Sequence, residues 1–217
     1  MIVHSSSPLV LVGGADLGPL DVNILQRYGA NTVAVDAGAD HLLGCGVVPR
    51  AVIGDLDSLS QAARDAFADR LHHVPEQETV DFEKAVLRVA APVIIAVGFS
   101  GGRLDHMLAG LDVMGRHHVR RIILLGMDDI AFVVPDTGIT LGHVAKGMRV
   151  SLMPLGHADV RATGLMWPVD TAPMAPLGFA SPSNAAAGGA VRVTASGPVL
   201  MIMPRDMLSA VCDVMLG

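Results

Sequence analysis

The sequence is poor in aromatic residues, cysteine and basic charge, and it has no long apolar run. Each shortage removes a class of function. Aromatic residues make up 3% of the 217, with Trp167 and Tyr28 the sole Trp and Tyr, so aromatic stacking platforms for nucleic-acid bases and aromatic strips for carbohydrate are not expected. Cys45 and Cys212 are too few for a disulfide framework, and reduced thiols in a cytoplasmic protein are the expectation. A net charge of −6 argues against a nucleic-acid partner, which calls for a basic stripe. Apolar runs such as 93–97 and 122–125 are far too short to span a bilayer, so no membrane partner is expected. Residues 1–7 show no basic start followed by an apolar run, and no leader peptide is read there. A G-x-x-x-x-G-K-[ST] phosphate loop is also missing.

What is present is a large apolar fraction, 51%, enough for a well-buried core. In the first part, short β-rich runs alternate with helical patterns. Strands are expected at 9–13, 32–35, 51–53, 72–74, 93–97 and 122–125, several of them β-branched throughout, as suits strands covered on both faces. Helices are expected around 20–28, 39–43, 62–70, 80–89 and 104–114. Such alternation implies βαβ units and a mostly parallel, Rossmann-like sheet with helices on both sides. From about Asp129 the texture changes to short β-like runs punctuated by Gly, Pro and Ser, with a helix near 207–214. The expected fold class is therefore α/β, with an N-terminal α/β domain over 1–128 and a C-terminal all-β sandwich over 129–217. Residues 171–189 read as a Pro/Ala/Gly-rich loop.

In an open α/β sheet, ligands gather beyond the carboxyl ends of the strands, and the unusual residues of this chain cluster there. Asp36 follows the second strand, and Gly54-Asp55-Leu56-Asp57-Ser58 the third. Asp55 and Asp57 are two apart, so in extended backbone both carboxylates face the same way and could share one Mg²⁺. The competing reading is a solvated turn that caps the next helix. Gly101-Gly102-Arg103-Leu104-Asp105 lets backbone N–H groups approach an anion, with Arg103 as a phosphate fork and Asp105 near a metal. Equally, Arg103 could pair with Asp105. Asp81 and Lys84, three apart on one helical face, could be a surface ion pair or a metal ligand beside a phosphate contact.

Taken together, these motifs resemble a known family. Val35-Asp36-Ala37-Gly38-Ala39-Asp40-His41-Leu42, Gly46-Val47-Val48-Pro49 and Ile53-Gly54-Asp55-Leu56-Asp57-Ser58 occur in the order found in thiamine pyrophosphokinases. Gln77, Asp81-Phe82-Glu83-Lys84-Ala85 and Gly101-Gly102-Arg103-Leu104-Asp105-His106 continue it. Ser151-Leu152-Met153-Pro154-Leu155, Thr163-Gly164-Leu165 and Ser183-Asn184 extend it through the second half. The resemblance implies transfer of a pyrophosphoryl group from ATP to the thiamine hydroxyl with release of AMP, by a homodimer with active sites between subunits. It implies that Asp36, Asp55, Asp57 and Asp81 form the acidic Mg²⁺ and ATP site, with Asp55, Asp57 and Asp81 on the metal. It assigns Gln77, Lys84, Gly101, Gly102, Arg103 and Asp105 to nucleotide, phosphate or metal contacts, and Ser183 and Asn184 to the thiamine side. Ala37, Asp40 and His41 depart from the family pattern. So do Ala185-Ala186, which stand where many relatives carry a bulky or aromatic residue, and Met201, which stands where eukaryotic members have Trp. Three other readings follow from the residues: a pyrophosphokinase with another alcohol acceptor such as a pterin, an Asp-nucleophile phosphohydrolase built on Asp55, and a nucleotide- or thiamine-sensing module without turnover.

Overall fold

A computed structural model describes residues 1–217, which fall into two compact units, Met1–Val113 and Met114–Gly217.

In the first unit the elements run β1 (Val3–His4), β2 (Leu9–Val12), α1 (Pro19–Tyr28), β3 (Thr32–Val35), α2 (Gly38–Gly44), β4 (Val52–Gly54) and α3 (Gln61–Ala66). They continue with β5 (Leu71–His73), α4 (Asp81–Arg88), β6 (Val89–Ala90), β7 (Ile94–Val97) and the start of α5 (Leu104–Arg116). The strands pair parallel, in the order β7-β2-β3-β4-β5, while β1 and β6 form a separate short parallel ladder. Residues of β2, β3 and β7 are buried throughout, the pattern of parallel strands covered on both faces. The helices begin where local chemistry allows. Pro19 opens α1 beside a Gly18 N–H that donates to Asp21 Oδ2 at 2.7 Å, and the Ser60 hydroxyl caps α3 by accepting from the Ala63 N–H at 3.1 Å.

Two glycines allow close approach at the strand ends. A Cβ on Gly38 would lie 1.8 Å from the Val12 carbonyl oxygen, so α2 can start against the end of β2 only because that Cβ is missing. Gly98 has φ of 74°, and a Cβ there would lie 2.6 Å from the Gly13 carbonyl oxygen.

The second unit holds the end of α5, then β8 (Ile122–Leu125), β9 (Asp129–Val133), β10 (Ile139–Val144), β11 (Arg149–Pro154) and β12 (Ala158–Thr163). It ends with β13 (Val169–Met174), β14 (Ser181–Ala185), β15 (Gly189–Ala195), β16 (Val199–Pro204) and α6 (Leu208–Leu216). All pairings are antiparallel. One set runs β8-β9-β16-β11-β14 and the other β10-β15-β12-β13. Along β12, Ala158, Val160 and Ala162 are buried while Asp159, Arg161 and Thr163 are exposed, as expected of a half-covered sheet. The compact division falls inside α5, ahead of the change of texture at Asp129, because β8 hydrogen-bonds antiparallel to β9.

The segment expected as a loop over 171–189 instead forms most of β13, all of β14 and the start of β15. Its prolines argue for a loop only where a strand has neighbours on both sides. Pro173 and Pro182 sit in strands at the edge of their sheets, where a missing N–H need not break a ladder. Cys45 and Cys212 form no disulfide. No helix is long and apolar enough to cross a membrane.

Candidate active site

Three carboxylates meet at the ends of β3 and β4. One oxygen from each of Asp36, Asp55 and Asp57 lies within 4.8 Å of the others. Asp36 directly follows β3 with φ of 46°, a left-handed conformation that Asp tolerates better than most residues. Its side chain is buried, and its Oδ1 has no hydrogen-bond partner. Burial, followed by the negative charge of Asp81, pushes the Asp36 carboxyl above its ordinary value, with the Ser58 hydroxyl and the Ala37 N–H pulling the other way.

Asp55 and Asp57 reach this group by a route the spacing did not foresee. Leu56 between them has φ of 66°, so the segment is a turn and not extended backbone. The Asp57 N–H donates to Asp55 Oδ1 at 3.3 Å across that turn. The left-handed Leu56 is held from two directions. Its side chain is buried, and its carbonyl accepts from the Arg64 guanidinium on α3. The Ser60 N–H donates to Asp40 Oδ2 at 3.2 Å, fastening the far end of the loop to α2. Sequence reasoning missed Asp40 and Arg64 as supports, because both act on the loop from helices whose packing is a tertiary matter.

Asp81 opens α4 and stands beside the trio. Its Oδ1 accepts from the Asp55 N–H at 3.3 Å and from Lys84 Nζ at 2.9 Å. Lys84 is 1% exposed and also reaches Asp55 Oδ2 at 3.4 Å. Burial works against its charge, but hydrogen bonding to Asp81 and the two carboxylates together raise its pKa, so it stays protonated. Gln77 Nε2 donates to Asp55 Oδ2 at 3.2 Å. The Asp55 carboxyl is lowered overall, with burial opposed by the Asp57 N–H, Gln77 and Lys84. The structure thus joins Asp36, Asp55, Asp57, Asp81, Gln77 and Lys84. The Asp81–Lys84 ion pair is part-buried, with the lysine out of solvent and the carboxylate 32% exposed.

Arg103 and Asp105 take each other as partners. Arg103 Nη2 donates to Asp105 Oδ2 at 2.6 Å and Nε to Oδ1 at 3.1 Å, with both side chains largely exposed. The Arg103 hydrogen bonds hold the Asp105 carboxyl down at about 2. Gly101 and Gly102 precede them with φ of 84° and 64°, in exposed backbone. Behind this loop the Phe82 and Phe99 rings sit 4.4 Å apart.

In the second unit, the Ser183 N–H donates to the buried Ser151 hydroxyl at 3.0 Å, and Asn184 is buried with its amide turned onto Trp167. A groove of about 360 Å³ lined by Arg161, Thr163, Arg192 and Thr194 lies on the solvent face of β12 and β15 and holds none of the expected residues.

The donor set fits a divalent cation. It offers hard carboxylate oxygens, converging within reach of one ion, one of them buried without a partner.

Comparison with known proteins points to one family. Residues 26–124 match the family model described as thiamin pyrophosphokinase, catalytic domain, and residues 138–200 match thiamin pyrophosphokinase, vitamin B1 binding domain. The chain is 28% identical over 170 residues to thiamine pyrophosphokinase 1 of Oryza sativa subsp. japonica, covering 70% of this chain and 64% of that protein. It is 30% identical over 135 residues to thiamine pyrophosphokinase of Bacillus subtilis, covering 59% of this chain and 55% of that one. The chain therefore spans less than two thirds of these curated relatives. Among solved structures, thiamin pyrophosphokinase from Geobacillus thermodenitrificans superposes with a TM-score of 0.75 at 25% identity, covering 91% of this chain and 96% of that one. The enzyme from Candida albicans shares the fold at a TM-score of 0.75 and 15% identity, covering 93% and 92%. With both family models in order along the chain and like-named relatives from plants and bacteria, the chain belongs to the thiamin pyrophosphokinase family.

Proposed function

We propose that this protein transfers the pyrophosphoryl group of ATP to the hydroxyl of thiamine, giving thiamine diphosphate and AMP. The observation that carries the reading is the meeting of Asp36, Asp55 and Asp57, the first of which has a buried, partnerless carboxylate oxygen, in a chain of this family. The phosphate chemistry belongs to residues 1–128, as a Rossmann-like domain, and the acceptor to residues 129–217, as a β-sandwich. The working form is a cytoplasmic homodimer with active sites at the subunit interface.

Asp36, Asp55 and Asp57 would hold magnesium, with Asp81 supporting Asp55 through its backbone N–H. Bound there, the ion supplies positive charge to phosphate oxygens. Phosphoryl-type transfer needs positioning and charge neutralisation more than covalent help from the protein. Lys84 and Arg103 offset charge that builds on the transferred group. Gln77 orients Asp55, and the exposed Gly101 and Gly102 backbone accommodates phosphate oxygens. Asp105 holds the Arg103 fork in plane until phosphate takes its place. The acceptor hydroxyl attacks the β-phosphorus in line, its proton passes to a carboxylate of the group, Asp36 or Asp81, and AMP leaves. Ser183 contributes on the acceptor side.

The test is incubation of purified protein with ATP, Mg²⁺ and thiamine, followed by chromatographic separation. AMP and thiamine diphosphate in equal amounts, abolished by EDTA, are expected. Formation of ADP or free phosphate instead overturns the attack at the β-phosphorus.

A further inference from the structure

The groove of about 360 Å³ in the second unit is lined by Arg161 and Thr163 of β12 and by Arg192 and Thr194 of β15. Strand register fixes how these residues stand. Arg161 lies directly opposite Thr194, and Thr163 directly opposite Arg192. The two guanidinium groups therefore take one diagonal of a cross-strand square and the two hydroxyls the other. This avoids the direct opposition of like charges, which destabilises a sheet. The core takes the alternate residues of the same strands, Val160, Ala162, Val191 and Val193, so the four groove residues contribute little to packing.

The next strand leaves the groove open. Thr140 of β10 pairs with Arg192, and the positions two residues to either side of it are Gly138 and Gly142. A Cβ on Gly138 would lie 2.8 Å from Thr194 Cγ2, while one on Gly142 would meet nothing within 4 Å. No side chain at either glycine fills the space beside the arginines.

The charge of the groove is not answered from within the chain. The Arg192 side chain has no hydrogen-bond or ion-pair partner, and neither do the hydroxyls of Thr163 and Thr194. Arg161 has only Asp170 of β13, at 3.6 Å, in a bridge whose side chains are 65% and 85% exposed. Acidic residues outnumber basic ones in this chain, 21 to 15, yet no carboxylate faces either arginine across the β12–β15 pairing. The result is a concave surface of donors: two planar forks and two hydroxyls.

We propose that this groove binds the diphosphate group of a small molecule, with Arg161 and Arg192 as the two forks and Thr163 and Thr194 donating to the oxygens between them. A guanidinium engages two phosphate oxygens at once. Diagonal neighbours in a sheet stand about 7–8 Å apart, a spacing that suits two linked phosphate groups. The groove volume is near the lower end for small-molecule sites, as a ligand held chiefly by its phosphates requires. None of the groove residues belongs to the acidic trio, and the binding needs no metal. The groove therefore stands or falls apart from the pyrophosphokinase reading.

Calorimetric titration of metal-free protein with inorganic pyrophosphate in low-salt buffer tests it. Saturable binding at one site per chain is expected, with Kd below about 1 mM, several-fold tighter than for orthophosphate and weakened by added salt. Arg192→Gln and Arg161→Gln should each weaken it on the order of tenfold, and the double variant should remove it. Both arginines are exposed, so melting temperatures of these variants should match wild type. ADP and thiamine diphosphate separate the sources of the diphosphate. Tighter binding of either one, lost in the double variant, supports the groove and identifies the carrier. Equal binding of all three, lost in the same way, supports recognition of the phosphates alone. No saturable binding, binding that the double variant keeps or that Arg103→Gln removes, or orthophosphate bound as tightly as pyrophosphate overturns the proposal.

Discussion

Lys84 Nζ lies 2.9 Å from Asp81 Oδ1 and 3.4 Å from Asp55 Oδ2, with the lysine almost wholly out of solvent. A resident cation thus stands among carboxylates that otherwise repel one another. It holds Asp55 and Asp81 in place before any metal or phosphate arrives.

Replacing this lysine should expose that repulsion. Removing one partner of a buried bridge leaves the others uncompensated, an effect reduced here because the two carboxylates keep side-chain exposures of 16% and 32%. Lys84→Met should cost about 1–3 kcal/mol in urea unfolding without metal. Added Mg²⁺ should recover part of it. A variant as stable as the wild type in EDTA would show that the bridge contributes nothing.

Asp55→Asn and Asp57→Asn address turnover more than folding. Losing several kcal/mol of charge stabilisation corresponds to a drop in kcat of about a hundredfold or more. In EDTA the Asp57→Asn melting temperature should stay close to wild type, whereas Asp55→Asn should melt somewhat lower because it weakens the contact with Lys84. Steady-state assays at saturating Mg²⁺ check this. Near-normal turnover by either variant would remove that residue from the metal site.

Asp36 gives a pH dependence with a definite sign. Its carboxyl is raised in the folded protein, first by burial and then by Asp81, so the metal-free fold favours the protonated form. As pH climbs from the ordinary value of 3.8 through the raised folded value, ionisation of Asp36 destabilises the fold. Asp36→Asn should therefore melt higher than wild type at neutral pH in EDTA. The gap should close as pH falls below the ordinary value, where both states of the wild type carry the proton. Mg²⁺ should stabilise wild type alone and reverse the order. Thermal melts across pH, with EDTA and with Mg²⁺, measure it, and a gap that widens towards acid would sink the assignment.

Gly38 and Gly44 provide a matched pair within α2. Gly38→Ala sets a methyl carbon 1.8 Å from a backbone oxygen of β2, which neither side can yield cheaply, while Gly44→Ala meets nothing within 4 Å. The first should cost about 3 kcal/mol or more and displace Asp36, lowering turnover as well. The second should change stability by less than about 1 kcal/mol in either direction. Urea titration of both variants tests whether the close approach of α2 to β2 sets the position of Asp36.

Much of the fold was legible in the sequence. Runs such as Ile94–Val97 and Ile122–Leu125 are apolar on both faces, a pattern that only a covered strand can use. The carboxylates were legible as a group because each follows a strand. Their manner of meeting was not, since Leu56 at a positive φ depends on Arg64 and on its own burial. The edge strands β13 and β14 were hidden by Pro173 and Pro182, whose harmlessness depends on where the strand lies in its sheet. The resemblance placed Asn184 on the thiamine side, and residue type alone does not show what its amide bonds within its own chain. Its actual partner, Trp167, lies 17 residues earlier.

The sequence by itself determined most of the strands and helices of the first unit, and it placed Asp36, Asp55 and Asp57 just beyond strand ends. Hydrophobic periodicity and turn chemistry are local, so they can be read residue by residue. Tertiary structure decided which of those groups touch. It chose Asp36 over Asp81 to complete the trio, gave Lys84 to Asp81 and Asp55, and turned Asn184 inward onto Trp167. Those choices follow from burial and from hydrogen bonds between segments distant in the chain. No spacing rule encodes them, because the energy of a buried polar group is set by whichever partner the fold brings within about 3 Å of it.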